Sequence, residues 1–204
     1  SEAEEFLEKV PEELPFLATS CCPAWSVFAK RTLGEKLAGC VSCSLTPMVA
    51  TARIIKAEHP DSRVCFIGPC AAKKLEAFRR TVRSDVNYVI TYEELMGIFA
   101  AKEIDFETLP EGEPLLRASA DGRGFAASGG VATETGRNYA VSGGVAEAVV
   151  SCIKTKHPER EVSIERAEGL ANCKKMLTLA KARKRNGYLL EGMACEGGCV
   201  GGAG

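Results

Sequence analysis

Long apolar runs are missing from this 204-residue sequence, and so is any extended block of one charge. No stretch approaches the roughly 20 apolar residues that a membrane-spanning helix needs. The acidic start Ser1-Glu2-Ala3-Glu4-Glu5 is the opposite of a signal peptide's basic front. With 26 Lys and Arg against 27 Asp and Glu, nothing draws the chain to a phosphate backbone or an anionic surface. We therefore expect no nucleic-acid partner and no membrane. Histidine is nearly absent: His59 and His157 are isolated, each ahead of a proline, so no imidazole pair completes a zinc site. The P-loop and dinucleotide fingerprints, which would signal a nucleotide, are also missing.

What the chain does have is 10 cysteines and 20 glycines. Disulfide scaffolds rich in cysteine are short chains that cannot build a core, whereas this one is long enough for one domain or two small lobes. Its cysteines sit beside glycine and proline in turns, within an alternation of apolar runs and helical periods. That pattern favours reduced, metal-binding thiols in a cytoplasmic protein. A first residue that is serine, and a last stretch that stops on glycines just after Cys199, lead us to expect residues 1–204 to be a single, partial domain of a longer protein.

The periodicity predicts a helix over Glu2 to Val10, with Ala3, Phe6, Leu7 and Val10 on its apolar face, ended by Pro11. Apolar runs of strand length follow at Leu14 to Ala18, Val64 to Ile67, Tyr88 to Ile90, Val162 to Ile164 and Tyr188 to Leu190. Helices are expected between them: from Pro23 to about Gly34, from Thr46-Pro47 as a cap to Glu58 with Val49, Ala52, Ile54 and Ile55 inward, after Cys70, from the capping box Thr91-Tyr92-Glu93-Glu94, and over Ala171 to Lys184 with a basic outer face. Residues 104–138 read as loop-rich. Ser128-Gly129-Gly130-Val131-Ala132 recurs as Ser142-Gly143-Gly144-Val145-Ala146, too short for a duplicated domain. A Gly-Gly pair opening a helix can bind an anion, but close packing is the favoured reading. The alternation predicts an α/β fold: two small lobes of mainly parallel sheet flanked by helices.

Three apolar runs lead into cysteine-bearing turns: Thr19-Ser20-Cys21-Cys22-Pro23-Ala24-Trp25, Ile67-Gly68-Pro69-Cys70-Ala71-Ala72-Lys73-Lys74, and Gly192-Met193-Ala194-Cys195-Glu196-Gly197-Gly198-Cys199-Val200-Gly201-Gly202. Strand ends are where α/β folds place their sites. Glycines around a C-x3-C leave N–H groups free and let the main chain approach a metal cluster. Cys40-Val41-Ser42-Cys43 has redox or zinc spacing, but no partner motif exists, and buried or incidental thiols are the favoured reading.

In order and in detail, these three segments resemble the signature segments of the iron-only (di-iron) hydrogenase catalytic domain, and the likeness spans nearly the whole chain. It implies a cluster site between the lobes, where Cys22, Cys70, Cys195 and Cys199 hold a [4Fe-4S] cluster and Cys199 bridges to a di-iron subsite carrying CO and cyanide. It implies that Cys21 passes protons to that subsite, that Ser42 with Glu2 and Glu5 forms the outer relay, that Lys73 bonds a cyanide with Glu76 as its partner, and that Met193 packs on the di-iron unit. The reaction implied is reversible 2H⁺ + 2e⁻ ⇌ H₂, with H2 and protons as substrates, a ferredoxin-type electron donor and dedicated maturation proteins as partners. Two positions depart from the prototype: Gly68 stands where methionine precedes Pro-Cys, and Met48 where glutamine follows the proline. Both departures resemble the sensory branch of the family. The alternative from another class is a hydrogenase-like iron-sulfur assembly factor without hydrogen chemistry, for which Cys21 and Lys73 have no use.

Overall fold

The computed structural model describes residues 1–109 and 138–204. The element order is α1 (Glu2–Lys9), β1 (Phe16–Ala18), α2 (Pro23–Leu33), α3 (Pro47–Glu58), β2 (Cys65–Ile67), α4 (Ala72–Ala77), β3 (Tyr88–Ile90), α5 (Tyr92–Ala101), α6 (Gly144–Lys156), β4 (Ser163–Glu168), α7 (Leu170–Lys181) and β5 (Tyr188–Met193). The first copy of the Ser-Gly-Gly-Val-Ala repeat, and most of the stretch expected to be loop, lie outside the described residues.

The α/β architecture is as expected, and among the described residues the strands β1 to β5 pair only in parallel. One sheet has the order β1-β5-β4 and the other pairs β2 with β3. Parallel strands put all their carboxyl ends on one edge, so the three cysteine turns emerge from corresponding ends of β1, β5 and β2.

The larger sheet is covered on both faces, and the period of two along β5 decides which side chain meets which helix. Leu190 packs with Phe16, Ala18, Trp25, Leu33 and Leu177 against α2 and α7. Leu189 points the other way, into Phe6, Val10, Val149 and Ile153 of α1 and α6. Trp25 is wholly buried and its Nε1 donates to Thr19 O at 3.0 Å, tying α2 to the first cysteine turn. Its ring lies where a side chain at position 192 would be, so only glycine fits there. Truncating such a side chain costs about 3–5 kcal/mol.

The smaller lobe corrects two expectations. Its strand is not a buried run: Phe66 packs inward with Met48, Val49, Ala52 and Val82, while Cys65 and Ile67 alternate outward and are exposed. Among the described residues, helices pack on the Phe66 face of this two-stranded sheet. In α3 the inward face is Met48, Val49 and Ala52, and Ile54, expected inward, is 61% exposed. Thr46 stands at the N-cap of α3 but makes no side-chain cap bond, whereas Thr91 and Glu94 form the expected capping box on α5. Two strands run further than their apolar residues indicated, β4 to Glu168 and β5 to Met193, because their pairing continues through polar residues.

Candidate metal centre

Each cysteine turn is held by its own strand and by a neighbouring loop. After β1, Ser42 N donates to Ala18 O at 2.8 Å, drawing Ser42, Cys43 and Ser44 alongside Thr19 to Cys22. After β2, Gly68 N donates to Ile90 O at 3.1 Å and aims Pro69-Cys70 across the gap between the sheets. After β5, Cys199 N donates to Ala140 O at 2.7 Å, and Gly198 takes φ 87°, a conformation that favours glycine. Gly202 presses on the second turn, since a Cβ there would collide with Pro69 O. Gly197 N also donates to Glu168 Oε2 at 3.0 Å, so this loop has contacts of its own within the protein.

Across this junction Cys22, Cys70, Cys195 and Cys199 come near enough to act on one another electrostatically. Burial pushes the Cys199 thiol up to about 11; Cys22 and Cys70 add to the rise and the Lys73 ammonium opposes it. Cys195 is raised by burial and then by Cys22 and Cys70. Among the described residues, no three His, Cys, Asp or Glu side chains stand close enough to share a single ion. Thiols grouped this way suit the corners of a multi-atom body, which spreads its ligands wider than one ion does.

Beside the thiols lies a cavity of about 660 Å³, whose wall includes Cys21, Cys70, Cys199, Lys73 and Met193, as well as both departing positions, Met48 and Gly68. Lys73 is buried; its Nζ donates to Glu76 Oε2 at 2.8 Å and to Cys21 O at 3.5 Å. Burial holds the Cys21 thiol well above its ordinary value, reinforced by Glu2 and Glu191. A second pocket of about 250 Å³ contains Glu2 and Cys21 together. Glu2 Oε1 accepts from Ser20 N at 2.7 Å and faces Ser20 Oγ at 3.0 Å; burial raises its pKa and those bonds oppose the rise. Ser42 Oγ donates to Glu5 Oε2 at 2.6 Å, and Lys9 donates to the other oxygen of Glu5 at 3.2 Å.

The structure thus gathers the four thiols, and brings Cys21, Lys73 and Met193 to one cavity, Glu2 to Cys21, and Glu5 to Ser42. It separates the C-x2-C: Cys40 is buried in the core of the larger lobe and Cys43 is exposed. All ten cysteines are free.

Two residues escaped sequence reasoning. Tyr139 lines both cavities, and burial with nearby Cys21 and Glu2 pushes its phenol up. Nothing in its loop sequence marked it. Glu191 is wholly buried, and its two carboxylate oxygens accept from Gly143 N and Ala146 N, each at 2.7 Å. The Gly-Gly opening of α6 therefore does bind an anion, and that anion is the protein's own carboxylate. Its signal was available: a lone acid inside the apolar strand Tyr188-Leu189-Leu190-Glu191.

Parallel strands that end on neighbouring thiols beside a half-open cavity offer donors of the kind that iron-sulfur clusters use. The chain belongs to the family described as iron only hydrogenase large subunit, C-terminal domain, which matches residues 1–203. It is 30% identical over 238 residues to the NADP-reducing hydrogenase subunit HndD of Solidesulfovibrio fructosivorans, covering 100% of this chain and 40% of that protein. It is 31% identical over 101 residues to the cytosolic Fe-S cluster assembly factor NAR1 of Kluyveromyces lactis, covering 50% of this chain and 21% of the relative. An apo [FeFe]-hydrogenase HydA1 variant from Chlamydomonas reinhardtii superposes with a TM-score of 0.66 at 25% identity, covering 100% of this chain and 66% of that one. The chain thus spans well under two thirds of these curated relatives. Among the described residues, no helix is long and apolar enough to cross a membrane.

Proposed function

We propose that this chain carries the iron-sulfur oxidoreductase chemistry of the iron-only hydrogenases, reversible 2H⁺ + 2e⁻ ⇌ H₂, and that residues 1–204 work as one cluster domain. The observation that carries the reading is the pairing, on one cavity wall, of a protonated thiol and a buried ammonium: Cys21 and Lys73 beside Cys70 and Cys199. The four thiols would hold a [4Fe-4S] cluster; Cys70 and Cys199 both line the cavity beside Lys73, and the family resemblance makes Cys199 the shared ligand. When bound, the di-iron group supplies the metal site at which protons and electrons combine.

The protein's own residues supply the rest. Cys21, kept protonated by burial, holds a proton at Sγ on the cavity wall. Lys73, itself buried and fixed by Glu76, would present N–H donors to an anionic ligand through charge-assisted bonds. Glu2 stands behind Cys21, and Glu5 with Ser42 forms a further hydrogen-bonded step toward the surface. Met48 and Gly68 reshape the cavity wall without touching the ligand set, which favours a sensing role within the same chemistry. Electrons would come from a ferredoxin-type donor, for which Lys174, Lys175 and Lys181 on α7 offer a basic approach. Maturation proteins would load the di-iron group, in the cytoplasm, where free thiols persist.

The likeness to a cluster assembly factor supports a second reading, a [4Fe-4S] protein without hydrogen chemistry. An infrared spectrum of the matured protein separates the two, because bound CO and cyanide absorb where protein does not. For the cluster itself, iron-sulfide reconstitution is expected to load one cubane per chain. Alanine at Cys22, Cys70, Cys195 or Cys199 should abolish loading, and alanine at Cys40 or Cys43 should spare it. Stoichiometric zinc with no uptake of iron and sulfide would refute the assignment.

A further inference from the structure

A polar pocket of about 140 Å³ adjoins the pocket that contains Glu2 and Cys21, with Ser44 and Leu45 in the wall of both. Its wall includes Ser20, Ser42, Ser44, Thr46 and Glu76. Ser20 Oγ faces Glu2 Oε1 at 3.0 Å, Ser42 Oγ donates to Glu5 Oε2 at 2.6 Å and accepts from Ser44 N at 3.0 Å, and on the other side Glu76 Oε2 holds Lys73 Nζ at 2.8 Å. Ser20 Oγ also faces Ser44 O at 2.8 Å, so its single proton has two acceptors. The carboxylate of Glu76 has acceptor sites beyond the one that Lys73 fills.

Thr46 carries the sharpest sign. It is only 5% exposed and sits at the N-cap of α3, where its hydroxyl would ordinarily accept a backbone N–H. It makes no such bond, and Oγ1 has no partner among the described residues. A buried hydroxyl left unpaired is costly, and native proteins pair such groups with protein or with ordered water. At a share of about 30 Å³ each, the pocket has room for roughly four waters, and its wall supplies the polar partners that each needs.

We propose that this pocket is a built water site, in which ordered water bonded to Thr46 Oγ1 joins Ser20 and Ser42 to Glu76. The Glu2 and Glu5 arm and the Lys73–Glu76 pair then belong to one hydrogen-bonded network. On the hydrogenase reading, on which this last consequence rests, protons reach the Lys73 side of the cavity without passing Cys21. The water site itself stands independently of that reading.

The test uses the full chain, without metal, in urea unfolding. Thr46→Val keeps the shape and removes the hydroxyl, and it should lower the folding equilibrium constant about tenfold, since it strips a partner from bound water. Thr46→Ser should remain close to the parent. Combined with Ser42→Ala, the loss from Thr46→Val should be clearly non-additive, because both residues bond to the same water. A crystal structure should show solvent within hydrogen-bond distance of Thr46 Oγ1. A rise in stability for Thr46→Val, as expected when an unpaired hydroxyl leaves a dry site, overturns the proposal. So does a loss that simply adds to that of Ser42→Ala, which would mean that the hydroxyl only caps the helix. None of these measurements requires iron or H2 turnover, so a failed hydrogenase assay would leave the water site standing.

Discussion

Glu191→Ala should destabilise the chain and loosen its cysteine loop together. The carboxylate is completely buried and satisfies two backbone donors, Gly143 N and Ala146 N, at 2.7 Å each, at the N-terminus of α6. Removing it orphans both. At about 2 kcal/mol for each unpaired buried donor, the loss is about 4 kcal/mol. Burial of the carboxylate offsets part of this, since it holds the Glu191 pKa above its ordinary value even though the two N–H groups oppose that rise. A net loss of about 3 kcal/mol is therefore expected. Glu191→Gln, which fits the space but turns an NH2 toward one donor, should fall between parent and alanine. The effect should travel, because the turn entering α6 contains Ala140, whose carbonyl accepts the N–H of Cys199. Urea unfolding gives the first quantity, and iron-sulfide uptake per chain gives the second. A loss below about 1 kcal/mol would refute the assignment of two buried donors to this carboxylate. Full cluster loading in a protein destabilised as expected would refute the link from helix to cysteine loop.

Three further outcomes follow from the same contacts. Gly202→Ala should reduce cluster loading sharply, because its Cβ meets the backbone oxygens of Pro69 and Cys199, which cannot rotate aside; loading equal to the parent would show that the loop is free to shift. Cys21→Ala should spare the cluster yet cut H2 turnover steeply in matured protein, and unchanged turnover would move the proton route elsewhere. Glu2→Gln should be more stable than the parent at neutral pH but not in acid. Burial raises the folded pKa of Glu2 above its ordinary 4.5, so as pH climbs past 4.5 the unfolded chain releases a proton that the folded chain keeps. The parent's stability contribution therefore falls with rising pH between the ordinary and the raised value, and glutamine abolishes that fall. Parallel pH profiles for the two proteins would refute the sign.

Local residue chemistry determined much of this molecule. Pro23 and Pro47 set helix starts, the Thr91 to Glu94 box set another, and apolar runs of strand length set the parallel sheets. The cysteine turns were legible in part for the same reason: a parallel sheet delivers the carboxyl ends of β1 and β5, and so two of the three cysteine turns, to one edge, whereas β2 lies in the other sheet and its turn is brought to them by tertiary packing. Only the tertiary structure decided which polar groups face one another. That Glu5 meets Ser42, 37 positions apart, and that Glu191 meets the start of α6, 45 positions away, depends on how helices settle on a twisted sheet, which no local period encodes. The same holds for Thr46. Its sequence context announces a helix cap, but in the fold its hydroxyl is buried and without its cap bond, at the wall of a polar pocket. Exposure of Cys65, Ile67 and Ile54 was likewise invisible in the sequence, because an apolar side chain carries no mark of whether a second layer will cover it.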